Sequence, residues 1–216
     1  MALRQLIGYA LVCVGATSVA FASGRYAVGE WRQQEARWSW EESEARAVVA
    51  LARRSVATQS SRSLPVTAGA PVARLLIPRL RLDEIVLEGV DDNSLNAGPG
   101  HLPGSAFPGE RGNAVISAHR DRHFSRLGEL QLGDTVITES GAVVERWIVT
   151  SRRVVRAEAP AIFRASEATL TLTTCWPIRY LGTAPERLLI TAKPAAPALQ
   201  ASSPRQTASF ARATRT

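Results

Sequence analysis

The run Thr169-Leu-Thr-Leu-Thr-Thr-Cys-Trp-Pro177 alternates threonine with leucine at a period of two, the side-chain period of a β-strand. Leu170 and Leu172 fall on one face and the threonines on the other. Pro177 has no N–H to give to a ladder and biases Trp176 toward extended or turn backbone, so the strand is predicted to end just after Cys175. A thiol at such a strand end is fixed from behind by a sheet and open in front. That is where a nucleophile can work, although a lone cysteine also serves as a small buried hydrophobe.

Other short apolar runs repeat the theme between Val72 and Pro194. They are 74–78, 85–90, 113–119, 135–138, 143–149, 154–155, 170–174 and 187–191, at spacings that suit a barrel or sandwich. Glycine and proline punctuate them at 98–104 and 108–112, where His101 is expected to face solvent. Leu132-Gly-Asp134 reads as a turn entering a strand, with a structural role for Asp134. A chain of 216 residues with 45% hydrophobic content can bury one core of this kind plus appendages. The expectation is one all-β domain over residues 72–194.

The appendages read separately. Leu6 to Ser23 is apolar, carries no formal charge and is long enough to span a bilayer, so residues 1–28 are taken as a signal anchor. Ala20-Phe-Ala22 offers the competing reading of a signal peptidase site. Arg4 points to an N-terminus inside, opposed by Arg25 and Arg32, and on that reading the rest of the chain lies outside the cytoplasm. Residues 29–57 are predicted to form a helical stalk with Trp31, Trp38, Ala45 and Ala52 seven apart on one stripe. The tryptophans could dock on the domain, pair with a second copy or lie at the membrane interface. Residues 58–71 read as a linker, and 195–216 as a disordered tail with little to bury.

The net charge of +7 raises the question of nucleic acid, but no basic stripe interleaved with aromatics is present. Lys193 is the only lysine, so the excess is an arginine habit of composition. Of the two cysteines, Cys13 lies in the apolar run and is no partner for Cys175, so no disulfide framework follows. His119 and His123 are four apart, a zinc spacing on a helix, but the zincin glutamate is missing and a strand end is expected there.

Three residues hold comparable positions: His119 ends one predicted strand, Cys175 ends another, and Arg187 opens a third. A thiol with a reference pKa of about 8.5 needs a base or a nearby positive charge to act as a nucleophile, and histidine supplies either. Arginine adds a permanent cation whose donor fork can face a developing oxyanion. The trio suffices for acyl transfer. Asp121 either orients His119 or caps a turn, the latter being the commoner use of aspartate.

The segments 98–121, 127–134 and 169–177 together closely resemble the sortase family, and the likeness spans about Val72 to Pro194 in the family's order. The resemblance implies an eight-stranded β-barrel with short helices and turns, preceded by a transmembrane helix and stalk. It implies a membrane-anchored, single-pass cysteine transpeptidase that cuts a Leu-Pro-x-Thr-Gly-like signal and joins the threonine carbonyl to an amine. His119 matches the family's histidine, Cys175 its nucleophile and Arg187 its arginine, with Arg179 as a rival. Thr174, Trp176 and Ala118 are expected to contact the substrate. The implied partners are a protein carrying a C-terminal sorting signal and an amine acceptor on the cell envelope or another protein, with no cofactor, metal or nucleic acid. Ala118 stands where many relatives carry glycine, and Trp176-Pro177 is a pattern associated with Gram-negative and class D or E-like branches. Two alternatives remain: an L,D-transpeptidase, disfavoured because Ser-x-Gly-Cys is absent, and a membrane-tethered barrel that only binds.

Overall fold

The computed structural model describes residues 2–54, 67–141, 143–159 and 165–195; most of the expected linker and nearly all of the expected tail lie outside these. A single helix, α1 (Ala2–Arg54), runs through both the expected anchor and the expected stalk. Eight strands follow: β1 (Pro71–Ile77), β2 (Leu82–Glu88), β3 (Gly100–His101), β4 (Asn113–Ser117), β5 (Thr135–Ser140), β6 (Val143–Arg156), β7 (Thr169–Trp176) and β8 (Glu186–Pro194). One short helix, α2 (Asp92–Ala97), lies between β2 and β3, capped by the Asp91 carboxylate, which accepts from the Asn93 and Ser94 N–H groups.

The strands close into a barrel in the order β1-β2-β3-β4-β7-β8-β6-β5, so the expected eight-stranded all-β architecture is met. Two details depart from the run-by-run reading. The apolar runs 143–149 and 154–155 belong to one long strand, β6, whose polar middle at Ser151-Arg152-Arg153 lies just past a register shift against β8. The eighth strand is instead β3, only two residues long, set in the Gly/Pro-rich stretch.

Barrel closure at β3 leans on a side chain. β3 runs parallel to β2 and antiparallel to β4 through two residues. His101, expected at the surface, is 1% exposed. Its Nδ1 meets Glu88 Oε2 at 2.7 Å, its Nε2 meets the Ala106 carbonyl at 2.9 Å and Ser105 Oγ at 3.0 Å, and its ring stacks on Phe107. The hydroxyl of Ser105 in turn donates to the Leu102 carbonyl and accepts from the Val115 N–H. A ladder this short lacks the hydrogen bonds to hold a barrel seam, and the buried side-chain network supplies them.

Inside, Leu75, Ile77, Ile116, Phe124, Leu127, Leu130, Leu170, Leu172, Leu188 and Ile190 form one core. Trp147 is fully buried with them and donates its Nε1–H to Thr138 Oγ1 at 2.8 Å, which satisfies the indole.

The apolar N-terminal part of α1 is solvent-exposed and contains one stretch long and apolar enough to cross a membrane. Further along, the helix packs on the barrel through Gly29, Gln33, Ala36 and Trp40, spaced so as to share one helical face. Ala36 and Trp40 bury against Ile85, Leu87 and Ala97. Because β3 pairs only with Leu87 and Glu88, the first part of β2 would show an open edge. The Gln33 amide covers it, accepting from the Ile85 N–H at 3.0 Å and donating to the carbonyls of Ala97 and Ile85. The expected Trp31–Trp38 stripe is not the docked face. Both indoles are exposed, on the side of the helix opposite Gln33 and Ala36.

Candidate active site

Strands β4 and β7 run parallel and side by side, with Asn113 to Ser117 in register with Thr169 to Thr173. The Ala118 N–H extends this ladder by donating to the Thr173 carbonyl at 3.2 Å. Continuing it sets His119 beside Cys175. On β4, Ala114, Ile116 and Ala118 belong to the core, so the period of two turns Ser117 and His119 outward. On β7, Leu170, Leu172 and Thr174 are fully buried, and Cys175 shares the other face with Thr171 and Thr173. The leucine/threonine alternation of the sequence therefore aims the thiol out of the barrel.

Arg187 completes the row. It lies directly opposite Cys175 in the antiparallel β7–β8 ladder, so the two side chains rise from the same face. Its Nε donates to the Ala157 carbonyl at 3.1 Å, and the Ala157 N–H donates to the Pro185 carbonyl. The guanidinium is thereby held at its inner edge, with both Nη groups without a partner among the described residues. His119, Cys175 and Arg187 share one cleft of about 290 Å³, whose remaining lining includes Asp121, Gly182, Thr183, Ala184 and Glu186. The cysteine is a free thiol, half-buried. A base, a thiol and a cation with free donors around one cavity can carry out acyl transfer.

The residues expected to touch substrate fare differently. Thr174 and Ala118 are buried in the barrel wall, where the Thr174 hydroxyl donates to the Ala118 carbonyl at 2.7 Å. Both side chains turn inward by the alternation, and the pair cross-ties the strands that bear His119 and Cys175. Trp176 is opposite Glu186 in register and packs on the core beside Gly128, with the Arg152 guanidinium 5.6 Å from its ring centre. It takes no part in lining the cleft. Arg179 is exposed and also stands outside the lining. The Asp121 carboxylate borders the cleft but makes no hydrogen bond to His119 among the described residues. His123 points elsewhere, with Nδ1 3.5 Å from Glu84 Oε1, and no group of three metal-ligating side chains occurs among the described residues.

Arg120 is a residue that sequence reasoning missed. It reaches across to the loop after the cysteine, donating to the carbonyls of Tyr180 at 3.0 Å and Gly182 at 2.7 Å, and lies over the Tyr180 ring. It ties the histidine turn to the loop that walls the cleft. No periodicity marks such a residue, since its partners are main-chain oxygens some 60 positions away.

Comparison with known proteins gives a consistent result. Residues 75–195 match the Sortase domain family. Sortase D of Bacillus subtilis (strain 168) is 34% identical over 121 residues, 55% of this chain and 61% of that protein, so the chain spans less than two thirds of this relative. Among solved structures, a Clostridium perfringens Sortase D5 transpeptidase superposes with a TM-score of 0.61 at 20% identity, over 79% of this chain and 99% of the other. The catalytic domain of B. anthracis SrtD gives 0.52 at 31% identity, over 65% and 97%.

Proposed function

The chain belongs to the sortase family, with a class D-like cast, and from that premise we propose that it is a cysteine transpeptidase. The observation that carries this reading is the pairing of Cys175 with Arg187 in one ladder, with His119 on the same cleft. The Cys175 thiolate attacks the scissile carbonyl of a Leu-Pro-x-Thr-Gly-like signal. The Nη groups of Arg187 stabilise the oxyanion that forms. As the C–N bond breaks, His119 gives a proton to the leaving amine, and an acyl thioester on Cys175 remains.

An incoming amine, deprotonated by His119, then attacks the thioester. The C–S bond breaks, the thiolate is regenerated and a new amide is formed. Because the thioester retains much of the peptide bond's free energy, no nucleotide is consumed. Water competes with the amine, so a cleft narrowed by the loop at Gly182 to Ala184 favours transfer over hydrolysis.

The apolar part of α1 supports membrane anchoring, with a single pass and the barrel on the extracytoplasmic side. The proposed partners are a protein bearing a sorting signal and an acceptor amine. The test is incubation of the purified chain with a family of Leu-Pro-x-Thr-Gly-like peptides and a small amine, read by mass spectrometry. An acyl adduct on Cys175 and an amine-ligated product are expected; peptide that stays intact across the family overturns the reading.

A further inference from the structure

We propose that Arg122 is a positioning residue, tying the turn that carries His119 to the docked part of α1, so that the helix sets the geometry of the histidine. The proposal rests on the sortase reading of the cleft. Its structural basis begins at the His119 carbonyl, which accepts from the Arg122 N–H at 3.4 Å and the Phe124 N–H at 3.1 Å. This turn is fixed on one side by Phe124, fully buried in the core. On the other side it is fixed by the Arg122 side chain, 10% exposed.

That side chain leaves the barrel and meets the helix. Its Nη2 donates to the Tyr26 carbonyl at 2.9 Å, its guanidinium lies 4.5 Å from the centre of the Tyr26 ring, and Glu30 Oε1 is 3.9 Å away. The Nε is buried without a partner among the described residues. Withdrawing this cation from water with an incomplete set of contacts is costly, and its contacts to α1 are what offset that cost. The close approach depends on Gly29, where a Cβ would collide with the Asn96 carbonyl and the Arg122 guanidinium. Tyr26, Gly29 and Glu30 form a seat for Arg122 within one helical turn, three residues from the histidine in sequence.

The functional consequence follows from how sharply proton transfer and nucleophile activation depend on distance: a misplacement of about 1 Å costs on the order of 100-fold in rate. Without Arg122 the turn would be held by Phe124 in the core and by Arg120 on the exposed loop after the cysteine, which leaves His119 free to shift relative to a thiol fixed in β7. The seat on α1 removes that freedom.

The test uses the full-length chain in membranes or detergent, in a Cys13→Ser background so that Cys175 is the sole thiol. Two variants are compared, Arg122→Gln on the barrel and Gly29→Leu on the helix. The second changes no charge and no residue of the barrel, pushes instead on Asn96 and Arg122 from the helix side, and keeps the proposal testable if the first fails to fold. Two readouts are taken: kcat and KM for peptide transfer, and the pH profile of Cys175 alkylation by iodoacetamide. His119 is faced in the cleft by Asp121, Glu186, Arg120 and Arg187, none altered by either variant. The expected result is a fall in kcat of about tenfold or more with KM within about twofold, and an alkylation profile displaced in both variants toward that of His119→Ala. An unchanged profile and kcat in folded Gly29→Leu protein overturns the proposal. If the wild type transfers no peptide, the sortase reading fails by itself, and the alkylation profile still decides whether Arg122 positions His119.

Discussion

Cys175 and Arg187 face each other across the β7–β8 ladder, and the arginine is held there by its Nε on the Ala157 carbonyl while its Nη groups have no partner among the described residues. A fixed cation beside the thiol suits an oxyanion better than a mobile one, since its orientation is set before reaction. Arg187→Ala is therefore expected to lower kcat by about 100-fold, the scale of losing one oxyanion donor. Arg179→Ala, exposed and outside the cleft, should do far less. Steady-state kinetics of the two variants check this, and the reverse order would move the role to Arg179.

Cys175→Ala should abolish both cleavage and ligation without loss of fold. The side chain is half-buried at a strand end and makes no hydrogen bond among the described residues. Circular dichroism and thermal melting, run beside a peptide-transfer assay, separate the two effects. Turnover by the folded variant at the wild-type rate contradicts the assignment of the nucleophile.

The buried contact between His101 and Glu88 carries a stability prediction. Removing one partner of a buried hydrogen bond leaves the other unsatisfied, a loss of about 2 kcal/mol, and here it also leaves two-residue β3 without its side-chain tie. His101→Ala should lower the midpoint of denaturant unfolding accordingly with little change in the slope. Glu88→Gln keeps a hydrogen-bonding group in place and should cost less. Equal stability of His101→Ala and wild type would mean that the seam closes without the imidazole.

What the sequence reveals and hides follows from the range of the interactions. The β7 alternation is local, and it fixed the strand, its end and the outward aim of Cys175. The inward turn of Thr174 and Ala118 was implicit in the same alternation, yet adjacency to the cysteine and histidine suggested contact with substrate. Short β3 carries no periodic signal, because two residues have no period. His101 looks exposed in a Gly/Pro stretch and is buried only because Glu88 and Phe107 close over it. The docked face of α1 escaped notice because its key residues are Gly29 and Gln33, which no hydrophobic pattern singles out, whereas the conspicuous Trp31 and Trp38 face away.

Asp83 links the helix to the barrel and makes that link sensitive to acid. Its carboxyl is held below the ordinary carboxylate range, chiefly by hydrogen bonds from the Arg74 guanidinium and then by the charges of Arg74 and Arg37. Arg37, on α1, also donates to the Asp83 carbonyl. A carboxylate with a depressed folded-state pKa stabilises the protein above its unfolded value of about 4. That contribution disappears as the pH falls through the folded-state value. The group is 41% exposed, so solvent screening limits the effect to about 1 kcal/mol or less. Asp83→Asn should melt below wild type at pH 7, and the two melting temperatures should converge near the acid end of the carboxylate range. A gap that persists unchanged in acid would assign the loss to packing and not to charge.

The fate of the N-terminus decides whether α1 works as an anchor. Its uncharged stretch is exposed from Ile7 to Ser23, as a lipid-facing helix would be, while Gln33, Ala36 and Trp40 bind the barrel a short way beyond Ser23. The small-residue site Ala20-Phe-Ala22 lies in the middle of this continuous helix, so cleavage there would have to open its hydrogen-bonded turns. The expected outcome is that the full-length chain remains in carbonate-washed membranes, with the barrel open to protease added from the extracytoplasmic side. Recovery of a soluble protein whose mature N-terminus is Ser23 would instead make the segment a removed leader. The docked helical face from Gly29 to Trp40 would persist in that product, so loss of anchoring alone should leave the seat of Arg122 intact.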